Sequence, residues 1–186
     1  YIKPLEQRWS KFINKDDQEL IVHSNDYGYF NLDVNCNWKF AIENYCESYH
    51  LPTIHPELNK VSNINDHYHI QGLPNRFAGQ GSKKYEQPVE GNKKFNTFPN
   101  WEKNMLKNSE YIALFPNLMI GLHVDHFYVF WLEPLSISKT KEHMQMYYVG
   151  NHSANGEELK DLRKENARFW KDVMLEDVDA IEGMQE

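Results

Sequence analysis

In LMIGLHVDHFYVFWLEPL, residues 118–135, aromatic and β-branched residues crowd into one run. Those residue types suit a pleated, half-buried surface, and the run is the strongest strand pattern in the chain. PLSISKT, residues 134–140, reads as the turn after it, and KEHMQMYYVGNHS, residues 141–153, as its antiparallel partner. From about Glu157 to Gln185 the pattern turns into a long amphipathic helix, with Leu159, Leu162, Phe169, Val173, Met174 and Ile181 on its apolar side. Strands closed by a long helix predict an α+β fold, an antiparallel sheet packed against the C-terminal helix.

Upstream, ELIVHSNDYGYFNLDVNCNWKF (19–40) reads as a hairpin about Asn25–Gly28, with Ile21 and Val22 on one arm and Tyr29, Phe30 and Leu32 on the other. Residues 1–17 hold a polar helical pattern around Trp9, Phe12 and Ile13. Over 38–50, Trp38, Ile42, Tyr45, Cys46 and Tyr49 recur at helical spacing, and Pro52 and Pro56 are expected to end that helix. HYHIQG (67–72) is a short strand. GQGSKKYEQPVEGNKKFNTFPN (79–100) reads as a polar loop, long enough to expect a functional flap.

The 186 residues suit one domain with a sizeable core. Aromatic residues reach 14%, enough to line a pocket or to fill a core. A net charge of -7 argues against nucleic acid as partner, because phosphate binding calls for a basic surface. No run is long enough to span a bilayer. Cys36 and Cys46 make no disulfide framework, so a reducing, cytoplasmic setting is expected. Nor can two cysteines by themselves hold an iron–sulfur cluster. The first methionine is Met105, so the chain is expected to be an excerpt of a longer protein.

The chemistry concentrates in NWKFAIENYCESYHLPTIHPEL, residues 37–58, where Glu43, Asn44, Glu47, His50 and His55 fall close together. His50 and His55 are five apart, a spacing that turns them off one helical face. The proline between them can swing His55 back, so that the pair shares a metal. Ferrous oxygenases use two His and one carboxylate on one face of the iron and leave the other positions open. LEDVDAIEGMQ (175–185) offers that carboxylate as Asp177, although Asp172, Glu176 and Asp179 beside it also fit a solvated helix face.

Residues 37–58 resemble the catalytic-domain signature of Rieske ring-hydroxylating oxygenase large subunits. The match runs through Asn37-Trp38-Lys39, Glu43-Asn44, Glu47, Tyr49-His50 and His55-Pro56. LFPNLMIGLHVDHFYVFWLEPLSISKT is similar to the family's central strand pair, and Glu176, Asp177, Glu182 and Gln185 fall on its C-terminal pattern. The resemblance implies a helix-grip fold and mononuclear Fe(II) on His50, His55 and Asp177. It places Glu47 as an acidic bridge to a cluster histidine of a neighbouring subunit, and Asn44 near the iron. It also implies a preceding domain with a [2Fe–2S] Rieske cluster, a ferredoxin or reductase donor fed by NAD(P)H, O₂ as co-substrate and a homotrimer. On that view residues 1–35 are a link and first hairpin, and 36–186 the mononuclear-iron domain. The activity implied is mono- or dioxygenation, hydroxylating or dealkylating a small aromatic or quaternary ammonium substrate. LFPNLMIG (114–121) is more similar to members acting on choline, carnitine or betaine than to dioxygenases of plain arenes.

Two rivals use the same residues. A zinc hydrolase activates water on a His₂–carboxylate site, and a metal-free helix-grip protein only binds a ligand. His67 with His69, and His123 with Asp125 and His126, are clusters that match none of the family's ligands.

Overall fold

The computed structural model describes residues 2–86 and 93–186. In chain order its elements are α1 (Lys3–Trp9), β1 (Ile21–His23), β2 (Tyr29–Val34), α2 (Trp38–Tyr45), α3 (Leu51–Ile54), α4 (Pro56–Val61), β3 (His67–Leu73), β4 (Phe77–Ser82), β5 (Ser109–Leu114), β6 (Leu118–Leu122), β7 (His126–Ser136), β8 (Lys139–Val149), α5 (Gly150–Asn155) and α6 (Lys160–Gly183). The strands form one antiparallel sheet in the order β1, β8, β7, β6, β5, β4, β3, with β2 also on β8.

Strand alternation sends every second side chain to one face. Tyr128, Phe130 and Leu132 on β7 and Met144, Met146 and Tyr148 on β8 are buried on the face toward α6. From α6, Leu162, Asn166, Ala167, Trp170, Val173, Met174, Val178 and Ile181 turn toward that same core at three- and four-residue steps. This is the expected α+β, helix-grip arrangement: a sheet wrapped on its last long helix. The other face is covered by the N-terminal segment. Phe12 packs there with Phe98, Trp101, Leu122 and Val149, and Leu5 with Ile70, Phe77 and Ile112. The wholly buried Glu110 ties α1 down. Its carboxylate accepts two 2.8 Å bonds from Arg8, one from Trp9 Nε1 at 3.0 Å and one from the Tyr68 hydroxyl at 3.0 Å.

Several local expectations are corrected. Residues 118–135 are two strands, not one: β6 and β7 pair from Leu118↔Trp131 to Leu122↔Phe127. The turn at 123–125 keeps an apolar pattern because His123 is buried and Val124 packs on the outer cluster. Residues 19–40 are not a hairpin. β1 (Ile21↔Val149 to His23↔Tyr147) and β2 (Tyr29↔Gln145 to Val34↔Thr140) run in one direction along the same edge of β8. Turn residues mark where a chain bends, and here the bend leaves the edge and rejoins it without reversing. The helix expected over 38–50 ends at Tyr45. Pro52 and Pro56 begin helices instead, each in the first turn of a short one, where no amide hydrogen is missed. Residues 79–82 of the expected flap belong to β4 and are buried, and residues 87–92 of it lie outside the described residues.

Candidate metal centre

α2 starts at the side-chain cap of Asn37, whose oxygen accepts from Lys39 N at 3.1 Å. The same residue's main-chain N–H donates to Gln185 Oε1 at 2.8 Å, and Asn35 gives two hydrogen bonds to Glu182 Oε1. The end of α6 is thereby locked to the entrance of α2. That alignment sets Asp177, one turn from Val173 and from Ile181 on the buried stripe, opposite α2 and the turn that follows it.

His50 and His55 each stand just ahead of a short helix, α3 and α4. Their rings come within 5.0 Å, centroid to centroid. Both Nε2 atoms face one carboxylate oxygen, Asp177 Oδ1, at 3.7 Å from His50 and 2.9 Å from His55. One ligand atom from each of the three residues lies within 4.8 Å of the others. Among the described residues this is the group of His, Cys, Asp and Glu side chains that converges so.

The outer nitrogens are also taken. His50 Nδ1 donates to Glu47 Oε1, and His55 Nδ1 donates to Glu176 Oε2 at 2.8 Å. A carboxylate on the far nitrogen fixes the tautomer and ring orientation of a metal-binding imidazole. The buried Asn44 donates from Nδ2 to Asp177 Oδ1 at 2.8 Å. Burial of His55 disfavours its charged form, but Asp177 and Glu176 outweigh burial and hold its pKa above the ordinary imidazole value. Anionic oxygen on both sides of a buried ring is an environment that asks for a cation. Two imidazoles and a carboxylate, converging with no fourth protein ligand in the group, fit a divalent ion that keeps open positions.

The five residues picked from sequence thus sit together. Glu47 touches His50, Asn44 touches Asp177, and the three ligand candidates converge. Glu176 is the correction: it is not merely part of a solvated face, for its carboxylate holds His55. The cavity beside the site, about 40 Å³, is lined in part by Tyr45, Tyr111, Tyr128 and Trp170, none of them picked from sequence as a site residue. Trp170 fits the apolar stripe of α6 and was legible there. Tyr111 and Tyr128 needed the sheet and Tyr45 the packing of α2 against it, since a buried ring reads alike as core or lining.

The other histidine clusters go elsewhere. His126 donates through Nδ1 to Asp125 at 2.7 Å and accepts the Trp170 indole N–H at 3.0 Å. His123 stacks on His126 at 4.5 Å, and burial, then His126, pushes its pKa well below the ordinary imidazole range. His67 binds Gln80 and Ser62, and His69 is exposed.

Comparison with known proteins shows the family and the fold. Residues 22–186 match the family described as ring hydroxylating alpha subunit, catalytic domain. A putrescine 2-hydroxylase of Bordetella bronchiseptica is 27% identical over 183 residues, covering 86% of this chain and 39% of that protein. One from Ralstonia nicotianae is 25% identical over 127 residues, covering 62% of this chain and 33% of that protein. The chain therefore spans less than two fifths of these curated relatives. Among solved structures, the quaternary ammonium Rieske monooxygenase CntA superposes with a TM-score of 0.71 at 16% identity, over 99% of this chain and 45% of that one. The terminal oxygenase of carbazole 1,9a-dioxygenase from Nocardioides aromaticivorans gives 0.52 at 13%, over 95% and 53%. With its fold shared by these oxygenases and 165 of its 186 residues (22–186) matched, the chain belongs to the Rieske-type ring-hydroxylating oxygenase alpha subunits, within their catalytic domain.

Proposed function

We propose that this chain is the mononuclear-iron part of a Rieske non-haem iron oxygenase that hydroxylates or dealkylates a small nitrogen-bearing substrate. The observation that carries this reading is the convergence of His50, His55 and Asp177, with each histidine's outer nitrogen held by a carboxylate. Family membership favours it over a zinc hydrolase or a metal-free binding protein built on the same residues. Bound at these three side chains, ferrous iron supplies O₂ activation. The protein's own share is orientation and exclusion of water. Asn44 and Glu176 hold Asp177 and His55 in place. Tyr45, Tyr111, Tyr128 and Trp170 wall the cavity with rings, whose faces attract a substituted ammonium. The relatives named for putrescine and for quaternary ammonium compounds support a nitrogenous substrate over a plain arene.

Glu47 is the proposed contact for the electron donor. Its side chain keeps 36% of its surface exposed while it holds His50, so a histidine of a neighbouring subunit's cluster can meet the free side of the carboxylate. The rest of the arrangement follows the family: a preceding domain carrying the [2Fe–2S] cluster, residues 1–35 joining it to 36–186, a ferredoxin or reductase fed by NAD(P)H, and a homotrimer. Both cysteines are free, which suits a cytoplasmic setting. No helix among the described residues is long and apolar enough to cross a membrane.

The test is O₂ uptake by the full-length, iron-loaded protein with its reductase, with and without 1,4-diaminobutane, L-carnitine or naphthalene. Uptake and NAD(P)H oxidation stimulated by an amine and lost on iron removal support the reading. Stimulation by naphthalene alone removes the nitrogenous substrate class. Activity restored by zinc alone removes the oxygenase. For the outer carboxylate, Glu176→Ala should weaken Fe(II) binding by about 10- to 100-fold, the usual result of removing a group that orients a ligand histidine. An anaerobic titration reads this directly, and an unchanged affinity would show that Glu176 does not orient His55.

A further inference from the structure

Ser62, His67 and Gln80 hold no metal in the proposed chemistry, although His67 and Gln80 edge the cavity beside it, and together they form a chain of hydrogen bonds aimed at the turn between α2 and α3. Ser62 and Gln80 are buried, at 1% and 6% exposure, so their polar atoms need partners. Gln80 Nε2 donates to the main-chain oxygen of Glu47 at 2.5 Å and to that of Tyr45 at 3.2 Å. With its nitrogen committed to two carbonyls, the amide's oxygen faces His67 Nδ1 at 2.8 Å and accepts from it. His67 then carries its proton on Nδ1, and its Nε2 accepts from the Ser62 hydroxyl at 2.9 Å. Burial keeps the ring below the ordinary imidazole pKa, and Tyr111 lies parallel to it at 6.5 Å. Every link points one way, from Ser62 through His67 and Gln80 to the turn, and aligned hydrogen bonds strengthen one another.

The turn needs such a strut. α2 ends at Tyr45 and α3 begins at Leu51, so Glu47 lies outside either helix. Its carboxylate accepts from Tyr49 N and from His50 Nδ1. Gln80 grips the main chain on both sides of Cys46, so the turn cannot rotate without breaking one of the two bonds.

We propose that Gln80, backed by His67 and Ser62, is a positioning residue for electron entry: it sets where the Glu47 carboxylate stands, toward the electron donor on one side and His50 on the other. The inference rests on the reading of Glu47 as the contact for the donor.

The test compares Gln80→Leu, Glu47→Gln and the double variant in the full-length oxygenase carrying its cluster and iron. Gln80→Leu should keep its iron, while reoxidation of the reduced cluster in one turnover slows about tenfold or more. The double variant should be no slower than Glu47→Gln alone, because both changes act through one carboxylate. Losses that multiply would indicate two independent structural defects and overturn the proposal. So would a wild-type rate in Gln80→Leu beside a slowed Glu47→Gln. A wild-type rate in Glu47→Gln is a different result: it removes the donor contact itself, and the proposal with it.

A second readout needs neither iron nor cluster. In the metal-free full-length protein, the Tyr49 amide should exchange its hydrogen about tenfold faster in Gln80→Leu, the loss of roughly one hydrogen bond's worth of restraint. Unchanged exchange there overturns the strut. If Gln80→Leu does not fold, His67→Phe keeps a ring against Tyr111 and removes the amide's support. It should show the same pattern with a smaller slowing, and wild-type values in it count against the proposal.

Discussion

Asp177→Ala will weaken Fe(II) binding by more than about 100-fold, to the point where one iron per chain is no longer retained. The magnitude follows from what surrounds the residue. Losing a group that only orients a ligand already costs about 10- to 100-fold in metal affinity, and Asp177 supplies the oxygen on which both imidazole Nε2 atoms converge. Two neutral imidazoles alone would offer a divalent ion no negative charge at the point of contact. The fold should survive, because Asp177 is not wholly buried and the stripe around it, Val173, Met174 and Ile181, is intact. Metal analysis with an anaerobic Fe(II) titration reads the outcome, with circular dichroism to confirm folding. His50→Ala and His55→Ala should lose iron likewise. Iron retained in all three variants would move the centre elsewhere in the protein.

Trp170→Ala should be the most damaging single truncation of the core, at about 3–5 kcal/mol. The side chain is 1% exposed and packs at 4.8 Å from Tyr128, 5.0 Å from His123 and 5.3 Å from Phe169. Its removal opens a hole between α6 and the sheet, next to the cavity at the metal centre. It also deprives the buried His126 Nε2 of the indole donor, so the loss should fall toward the upper end of that range. For a domain of this size the melting temperature should drop by about 6–20 °C. Trp170→Phe, which keeps a six-membered ring and loses the fused pyrrole ring with its N–H, should cost clearly less. Urea denaturation of the three proteins measures both steps. A cost under about 1 kcal/mol for the alanine variant would show that the core closes around the gap.

The elements of this fold were legible wherever a side-chain period reports directly on burial. α6 is one such case: its three- and four-residue steps expose which face must be covered, and Asp177 falls on that face among apolar neighbours. The strand pattern of 126–149 is another. Direction and pairing were not legible in the same way. Residues 21–34 alternate as a strand should, but alternation is the same whether the chain reverses at Asn25–Gly28 or steps out and rejoins the same edge. The turn at 123–125 was hidden because His123 is buried and Val124 packs on the outer cluster. Pro52 and Pro56 start α3 and α4 rather than ending α2, because a proline that ends one helix looks, in sequence, like a proline that starts the next.

What the sequence by itself determined about this protein is its family-level signature and its candidate donors: two histidines flanking Pro52, a carboxylate on the buried stripe of the last helix, and a strand-rich middle that needs that helix to cover it. Side-chain type and period carry such information because they are local. Only the tertiary structure decided which atoms meet. Glu176 reads as a solvated helix carboxylate until α6 is laid beside α3 and α4, and Gln80 reads as a loop residue until β4 passes behind the α2–α3 turn. Hydrogen bonds across 33 or 121 residues have no period to betray them. They exist because packing brings distant segments within 3 Å, and once buried there each polar group must find a partner.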